Sequence, residues 1–426
     1  MKIVLATIGT LGDVYPYIAV AHELQMRGHR VVLSTAAEYR DIVEAAGLQF
    51  APIPPSTLAL HSDKEVQRKA LHPVFGTEYV IRKMVLPSLS AMYYSLFELC
   101  GDADLLVGHF LAYAVPLVAE RRNIKWIQVF LHPTGLMSGY DPPAVFPFPA
   151  VNRLLRWSPA CARTVMRGVR AITSRWATPI EDFRRQIGLG KSLTNPISSP
   201  ASQYGNMGWF PRILAPRQPD WPSKFEGVGY PFLDSQTIAG TSLSEEMEQF
   251  LVEKRPIVFT LGSAASAAGQ NFYQQSLLAA QLIDRPALLI GPTTESLNIP
   301  DSSKVKVASF LPFDRVYPHA SVVVHHGGMG SMAQCLRYAK PAVIVPFAWD
   351  QPDNATRAER LGLAEVIRVS KYKSQTVARC LKYVLNMAET QDGITARDAA
   401  MPQKHDGVVA AIKYVEGVLA DTVPAM

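Results

Sequence analysis

Cysteine is scarce in this sequence. The four residues Cys100, Cys161, Cys335 and Cys380 are widely separated and form no Cys-x-x-Cys pair. That spacing excludes a disulfide framework and a zinc ribbon, and it implies free thiols in a reducing compartment. Long apolar runs are missing too, since none approaches the ~20 residues that a membrane span requires. The opening apolar stretch, Met1–Ile8, is too short for a signal peptide and is interrupted at once by Gly9 and Asp13. The expectation is a cytoplasmic chain, at most peripheral to the inner face of a membrane. There is no internal repeat, no low-complexity tract and no nucleic-acid-binding motif, so nucleic acid is not an expected partner.

What is present begins with charge. The formal net charge is +6, and the segment Val151–Gly188 alone holds eight arginines against Glu181 and Asp182. Leu154, Leu155, Trp157, Val165, Met166, Val169 and Trp176 are interleaved with them. One reading is a solvated helix face whose apolar side packs inward. The other is a basic, aromatic-bearing surface that meets an anionic membrane or funnels an acidic substrate.

At 426 residues the chain has room for two domains. In the first half, Lys2–Ile8, Arg30–Thr35, Gln49–Ile53, Leu105–Gly108 and Trp126–Phe130 read as buried strands. Helical patterns over Val14–Arg27, Glu38–Ala46 and Ala112–Arg122 alternate with them. Such alternation implies an α/β protein with parallel sheets whose strand C-terminal ends share one ligand-binding edge. Prolines cluster at 142, 143, 147 and 149, and again from 211 to 231; the stretch Arg217–Lys224 is the expected interdomain linker. Strands at Pro256–Leu261, Ala287–Ile290, Val305–Ala308, Ser321–Val324 and Ala342–Val345 make a second alternating half. The domains expected are 1–218 and 219–406, with the helix Gly407–Ala420 and the rest of 407–426 returning to the first.

The densest signal is Val322-Val-Val-His-His-Gly-Gly-Met-Gly-Ser331, a buried strand, a glycine turn and a helix start. Glycines admit a ligand close to the backbone, and the first turn of a helix offers unpaired N–H groups to an anion. His326 adds a donor there, which suits a diphosphate. The strand Pro341–Pro346 then delivers Asp350-Gln351, a carboxylate and an amide suited to sugar hydroxyls. Their alternative role is to start a helix ahead of Pro352. A phosphate cradle beside a hydroxyl reader suggests a nucleotide-sugar.

The pattern His326, Gly328, Ser331, Gln334, Pro341, Pro346 and Asp350-Gln351 resembles the donor signature of inverting nucleotide-sugar glycosyltransferases with two facing Rossmann-like domains, the GT-B UDP-glycosyltransferases. Gly9-Thr-Leu-Gly-Asp-Val14, Asp220-Trp-Pro222 and Phe259-Thr-Leu-Gly-Ser263 are similar to the bacterial branch that glycosylates lipids, sterols and antibiotics, rhamnolipid rhamnosyltransferases among them. The resemblance implies a cleft between the domains and a C-terminal helix that crosses back to the first.

It also implies site residues. Asp13 is the expected base toward the acceptor hydroxyl, in a loop where many family members carry histidine; its alternative role is to cap the following helix. His109, where histidine-based relatives carry an orienting aspartate, is the expected partner of Asp13; its alternative is a satisfied structural histidine. His132, Tyr140 and Phe146 are expected to line the acceptor pocket. On the donor side Ser263, His326, Gly328, Gly330 and Ser331 are expected to hold the diphosphate. Phe310 is expected to stack on the nucleobase, with core packing as its alternative. Trp349, Asp350 and Gln351 are expected around the sugar. No metal and no cofactor are expected, since no DxD-like pair occupies a suitable loop. The implied activity is hexose transfer from UDP-glucose or dTDP-rhamnose to a lipophilic acceptor, such as a hydroxy fatty acid lipid, sterol, terpenoid or polyketide. Peripheral membrane contact through 151–188 would accompany it. The rivals are a nucleotide-sugar-binding protein without turnover, and an epimerase or phosphorylase on the same scaffold.

Overall fold

The computed structural model describes residues 1–421 except 145–148, 239–241, 263–268, 292–296, 298, 300–302 and 389–406. The chain divides into two compact units, one built on Met1–Ala59, Val74–Leu233 and the C-terminal helix, the other on Leu60–Pro73 and the chain from Asp234 onward.

The first unit carries a seven-stranded sheet in the order β3-β2-β1-β4-β5-β6-β7. Its strands are β1 (Lys2–Ala6), β2 (Arg30–Thr35), β3 (Gln49–Pro52), β4 (Leu105–His109), β5 (Lys125–Phe130), β6 (Gly205–Gly208) and β7 (Phe225–Gly227). Every pairing is parallel. The apolar run of β1 has no polar alternation because both faces are covered. Ile3 and Leu5 pack into one layer with Val14, Tyr17 and Ile18 of the helix Leu11–Met26. Val4 and Ala6 pack into the other with the helices Leu89–Leu99 and Ala114–Arg122.

The last two strands of this sheet escape sequence patterning, since Gly205-Asn-Met-Gly208 has no apolar run. Gly205 serves the C-terminal helix Gly407–Ala420. A Cβ there would meet the Tyr414 ring at 2.8 Å. The Tyr414 hydroxyl donates to the Lys224 carbonyl at 2.7 Å and accepts from Asn206 N–H at 3.0 Å. The Lys125 ammonium donates to the Val418 carbonyl at 2.8 Å. The last helix therefore crosses back to the first unit, as the resemblance implies. Arg217–Lys224, expected as the linker, lies inside this unit, because β7 follows it and pairs with β6. The Asp220 carboxylate within it accepts from Ser138 Oγ at 2.6 Å and Gly139 N–H at 2.7 Å, pinning the loop before Tyr140.

The second unit has a six-stranded parallel sheet in the order β10-β9-β8-β11-β12-β13. These are β8 (Ile257–Thr260), β9 (Ala287–Ile290), β10 (Val305–Ala308), β11 (Val322–His325), β12 (Ala342–Ile344) and β13 (Ala364–Val366). Ile257, Phe259, Leu289, Val322, Val324 and Val343 join one buried core. Among the described residues no helix is long and apolar enough to cross a membrane.

Each sheet has one topological switch point, between β1 and β4 in the first and between β8 and β11 in the second. In open parallel sheets the crevice for ligands forms there, beyond the strand C-terminal ends.

Candidate functional site

At the first switch point, the loop after β1 enters the helix Leu11–Met26 three residues earlier than the apolar pattern suggests. Thr10 is the N-cap, so Asp13 is not a cap but the third helical residue of a capping box. Asp13 Oδ2 accepts from Thr10 N–H at 2.7 Å and from Thr10 Oγ1 at 3.2 Å. This fixes the carboxylate while leaving its side chain 27% exposed. Gly9 is required beside it: its φ is 140°, and a Cβ would stand 2.2 Å from Asp13 Oδ2.

His109 ends β4, directly across the switch point, with Nε2 3.9 Å from Asp13 Oδ1. That separation exceeds a hydrogen bond. Burial pushes the imidazole pKa down to about 3, with nearby His132 adding to the shift and the Ile8 carbonyl opposing it. His109 is thus a neutral ring beside the carboxylate and shares no ion pair with it at neutral pH. It is 2% exposed, and neither ring nitrogen makes a well-formed hydrogen bond. Phe110 packs edge-on against both histidines, with ring centroids 4.4 Å from His109 and 5.2 Å from His132. It stacks parallel to Phe130 at 6.5 Å. The edge of β4 and β5 is therefore an aromatic wall next to a carboxylate, suited to an apolar molecule that carries a hydroxyl. Tyr140 is exposed, with the Arg163 guanidinium 5.4 Å over its ring. Phe146 lies outside the described residues.

At the second switch point, His325 ends β11 and His326 begins the glycine loop. The His325 Nδ1 accepts from Gly327 N–H at 3.0 Å, so this histidine shapes the turn from within. His326 is held between two glycines. A Cβ on Gly262, after β8, would meet its Cε1 at 2.7 Å, and one on Gly328 would meet its Nε2 at 2.4 Å. Burial pushes the His326 pKa down to about 4, and its Nδ1 has no hydrogen-bond partner among the described residues. The helix Met329–Arg337 follows with Gly328 as N-cap, and Gly330 and Ser331 lie in its first turn. That places a neutral imidazole, small glycines and the first N–H groups of a helix at one spot, an arrangement with donors for an anion and no fixed positive charge. Ser331 is itself buried beside the Tyr317 hydroxyl.

The loop after β12 is tied to the glycine turn. Gln351 is 2% exposed, and its Oε1 accepts from Phe347 N–H at 2.8 Å and Ala348 N–H at 3.2 Å. Its amide oxygen is thus engaged by its own loop. Asp350 occupies the N-cap position of the helix Gln351–Arg360 without a side-chain capping bond, and Pro352 is its second residue, not its first. Asn354, fully buried, joins the parts: its Nδ2 donates to Asp350 Oδ2 at 2.6 Å and to the Gly327 carbonyl at 3.0 Å. Trp349 is left-handed at φ 60°, which costs about 1–2 kcal/mol. Its indole N–H donates to the Ala70 carbonyl, at the end of the helix Lys64–Ala70, at 2.9 Å. Phe310 is 52% exposed, which removes core packing as its role. Ser263 lies outside the described residues.

Three contributors were not expected from sequence: Thr10, Asn354 and Phe110. Thr10 and Asp13 do show the capping-box spacing, and Asp350 and Asn354 the four-residue spacing of one helix face. Phe110 gave no signal beyond following His109.

Two family descriptions match parts of the chain: "Glycosyltransferase family 28 N-terminal domain" over residues 3–134 and "Erythromycin biosynthesis protein CIII-like, C-terminal domain" over residues 290–411. Among curated proteins, a sterol 3-beta-glucosyltransferase of Arabidopsis thaliana is 26% identical over 97% of this chain. The chain spans 65% of that relative's length. The O-mycaminosyltylonolide 6-deoxyallosyltransferase of Streptomyces fradiae is 29% identical, covering 85% of both chains. Among solved structures, the glycosyltransferase of kitacinnamycin superposes with a TM-score of 0.71 at 20% identity, over 98% of this chain and 99% of that one. The spinosyn rhamnosyltransferase SpnG, complexed with thymidine diphosphate, superposes at 0.68 with 15% identity, over 98% and 100%. At these identities the superpositions establish the fold.

Proposed function

Because the chain belongs to the GT-B UDP-glycosyltransferase family, we propose that it is an inverting, metal-independent hexosyltransferase. Its donor is a nucleoside-diphosphate hexose, UDP-glucose or dTDP-rhamnose, and its acceptor a hydroxyl on a lipophilic molecule, of which a sterol and O-mycaminosyltylonolide are named in the relatives' own descriptions. The observation that carries this reading is the Asp13 carboxylate, anchored through Oδ2 to Thr10 and partly exposed at the first switch point.

In the reaction, Asp13 takes the proton of the acceptor hydroxyl while that oxygen attacks the anomeric carbon. The bond from the anomeric carbon to the diphosphate oxygen breaks, and the nucleoside diphosphate leaves with the electron pair. The glycine-flanked His326 and the N–H groups at the start of the helix Met329–Arg337 stabilise the departing diphosphate, which is the charge that develops. Asp350 accepts hydrogen bonds from sugar hydroxyls, and Phe310 offers an exposed ring face to the nucleobase. Phe110, His132 and Tyr140 line the path of the acceptor. A lipophilic acceptor is met at a membrane, which makes peripheral contact part of this reading.

The test is calorimetric titration of UDP-glucose and dTDP-rhamnose into wild type, His326→Ala, Asp350→Ala and Asp13→Asn. One donor should bind, His326→Ala and Asp350→Ala should weaken it, and Asp13→Asn should keep the affinity but lower turnover about 10²–10⁴-fold. Silence toward both donors and toward UDP and dTDP would remove the transferase reading. Full turnover by Asp13→Asn would remove Asp13 as base.

A further inference from the structure

Between Asp141 and Glu181 the chain has no acidic residue and six arginines. The structure folds the helices Pro149–Trp157 and Pro159–Ser174 from this stretch, packed against each other in the first unit. The sequence pattern of the first helix is amphipathic, with Val151, Leu154, Leu155 and Trp157 on one side and Asn152, Arg153 and Arg156 on the other. A surface helix of this kind ordinarily buries its apolar side. Here only Leu155 is buried, while Val151 is 38%, Leu154 52% and Trp157 89% exposed. The second helix adds Ile172 at 62% exposure, with Arg167 and the following Arg175 also exposed.

We propose that this helix pair is a docking face for an anionic lipid bilayer, with Val151, Leu154 and Trp157 entering the interface and the exposed arginines on the headgroups. Charge complementarity selects the occupant. A second copy of the chain would bring the same uncompensated arginines against these, whereas anionic headgroups neutralise them. Tryptophan has its preferred place at the membrane–water boundary, where an amphipathic ring keeps its polar edge wet. The face includes neither Asp13 nor any residue of the glycine loop. This inference rests on the proposed lipophilic acceptor only for its purpose; the face stands on its own exposure and charge.

The experiment is flotation of the full chain with vesicles of phosphatidylcholine alone or mixed with phosphatidylglycerol, at low and raised salt. Binding is expected to the mixed vesicles only, weakened by salt. Leu154→Ser/Trp157→Ser should lower it about tenfold. Arg153→Gln/Arg156→Gln should lower it about 25-fold, about fivefold for each charge. All four positions are exposed, so thermal melts should match wild type. Equal binding to both vesicles, no binding to either, or binding untouched by both variants overturns the proposal. So does a dimer in sedimentation that Leu154→Ser/Trp157→Ser dissolves, which would give the face to a second copy. Titrating UDP and dTDP into the same samples separates the two readings. Docking without nucleotide binding sinks the transferase and keeps the face, and nucleotide binding without docking does the reverse.

Discussion

Gly9 lies against the Asp13 carboxylate so closely that a Cβ on it would stand 2.2 Å from Oδ2. The atom it would strike is held by Thr10 N–H, so the carboxylate has no easy retreat. Gly9→Ala should therefore displace Asp13 and strain a φ of 140° at once. The expected result is a kcat lowered about 10²-fold or more, with a stability loss of roughly 1–3 kcal/mol. Donor affinity, measured in the same preparation, should hold. An unchanged kcat would show that the placement of Asp13 is not what the reaction depends on.

His109 is neutral well below neutral pH, because its pKa is pushed down to about 3. A histidine relay to Asp13 with an ordinary imidazole would place an inflection near pH 6.5 in kcat/KM, and His109→Asn would abolish it. We expect neither. The His109→Asn profile should keep the wild-type shape, with a lower plateau from the altered wall beside Asp13.

His326 carries a complementary prediction. Its pKa is lowered from 6.5 to about 4 by burial alone. A bound diphosphate favours the imidazolium and raises that value. Between the depressed and the raised pKa, binding then takes up a proton, and affinity for UDP or dTDP strengthens as pH falls from 7 toward 5. Calorimetry in buffers of different ionisation enthalpy measures the uptake directly. It should be positive at about pH 6 and absent in His326→Ala. Proton release, or identical heats in every buffer, would contradict the placement of the diphosphate at His326.

Gln351 and Asp350 should separate in their effects. Gln351→Met removes the acceptor for two backbone N–H groups, Phe347 and Ala348, and should destabilise the chain by about 1–3 kcal/mol. Asp350→Ala leaves that loop intact and should act chiefly on donor affinity. Thermal melts alongside calorimetry distinguish the two. Equal melting temperatures for both variants would refute the structural role of Gln351.

How much of this was legible depends on the range of the interaction. Strands such as Arg30–Thr35 and Ala287–Ile290 are read correctly because apolar runs buried on both faces leave a local mark. Strands β6 and β7 leave none, since the glycines of β6 admit the Tyr414 ring of the last helix and the Phe225 ring of β7 in place of an apolar run. The same split runs through the site. The glycine loop around His326 is visible as a motif, whereas the engagement of Gln351 Oε1 by its own loop is not.

The class of the fold, the identity of the chemical groups and the order in which strands deliver them are written in the order of amino acids alone. Those follow from burial periodicity and turn chemistry, which act over a few residues. Packing between distant segments is what sets His109 3.9 Å from Asp13 and pushes its pKa down. It also leaves Phe310 and Trp157 exposed and sets Arg217–Lys224, the stretch that reads as a linker, inside the first unit. Distance, burial and electrostatics depend on which distant segments pack together, and no local pattern encodes that.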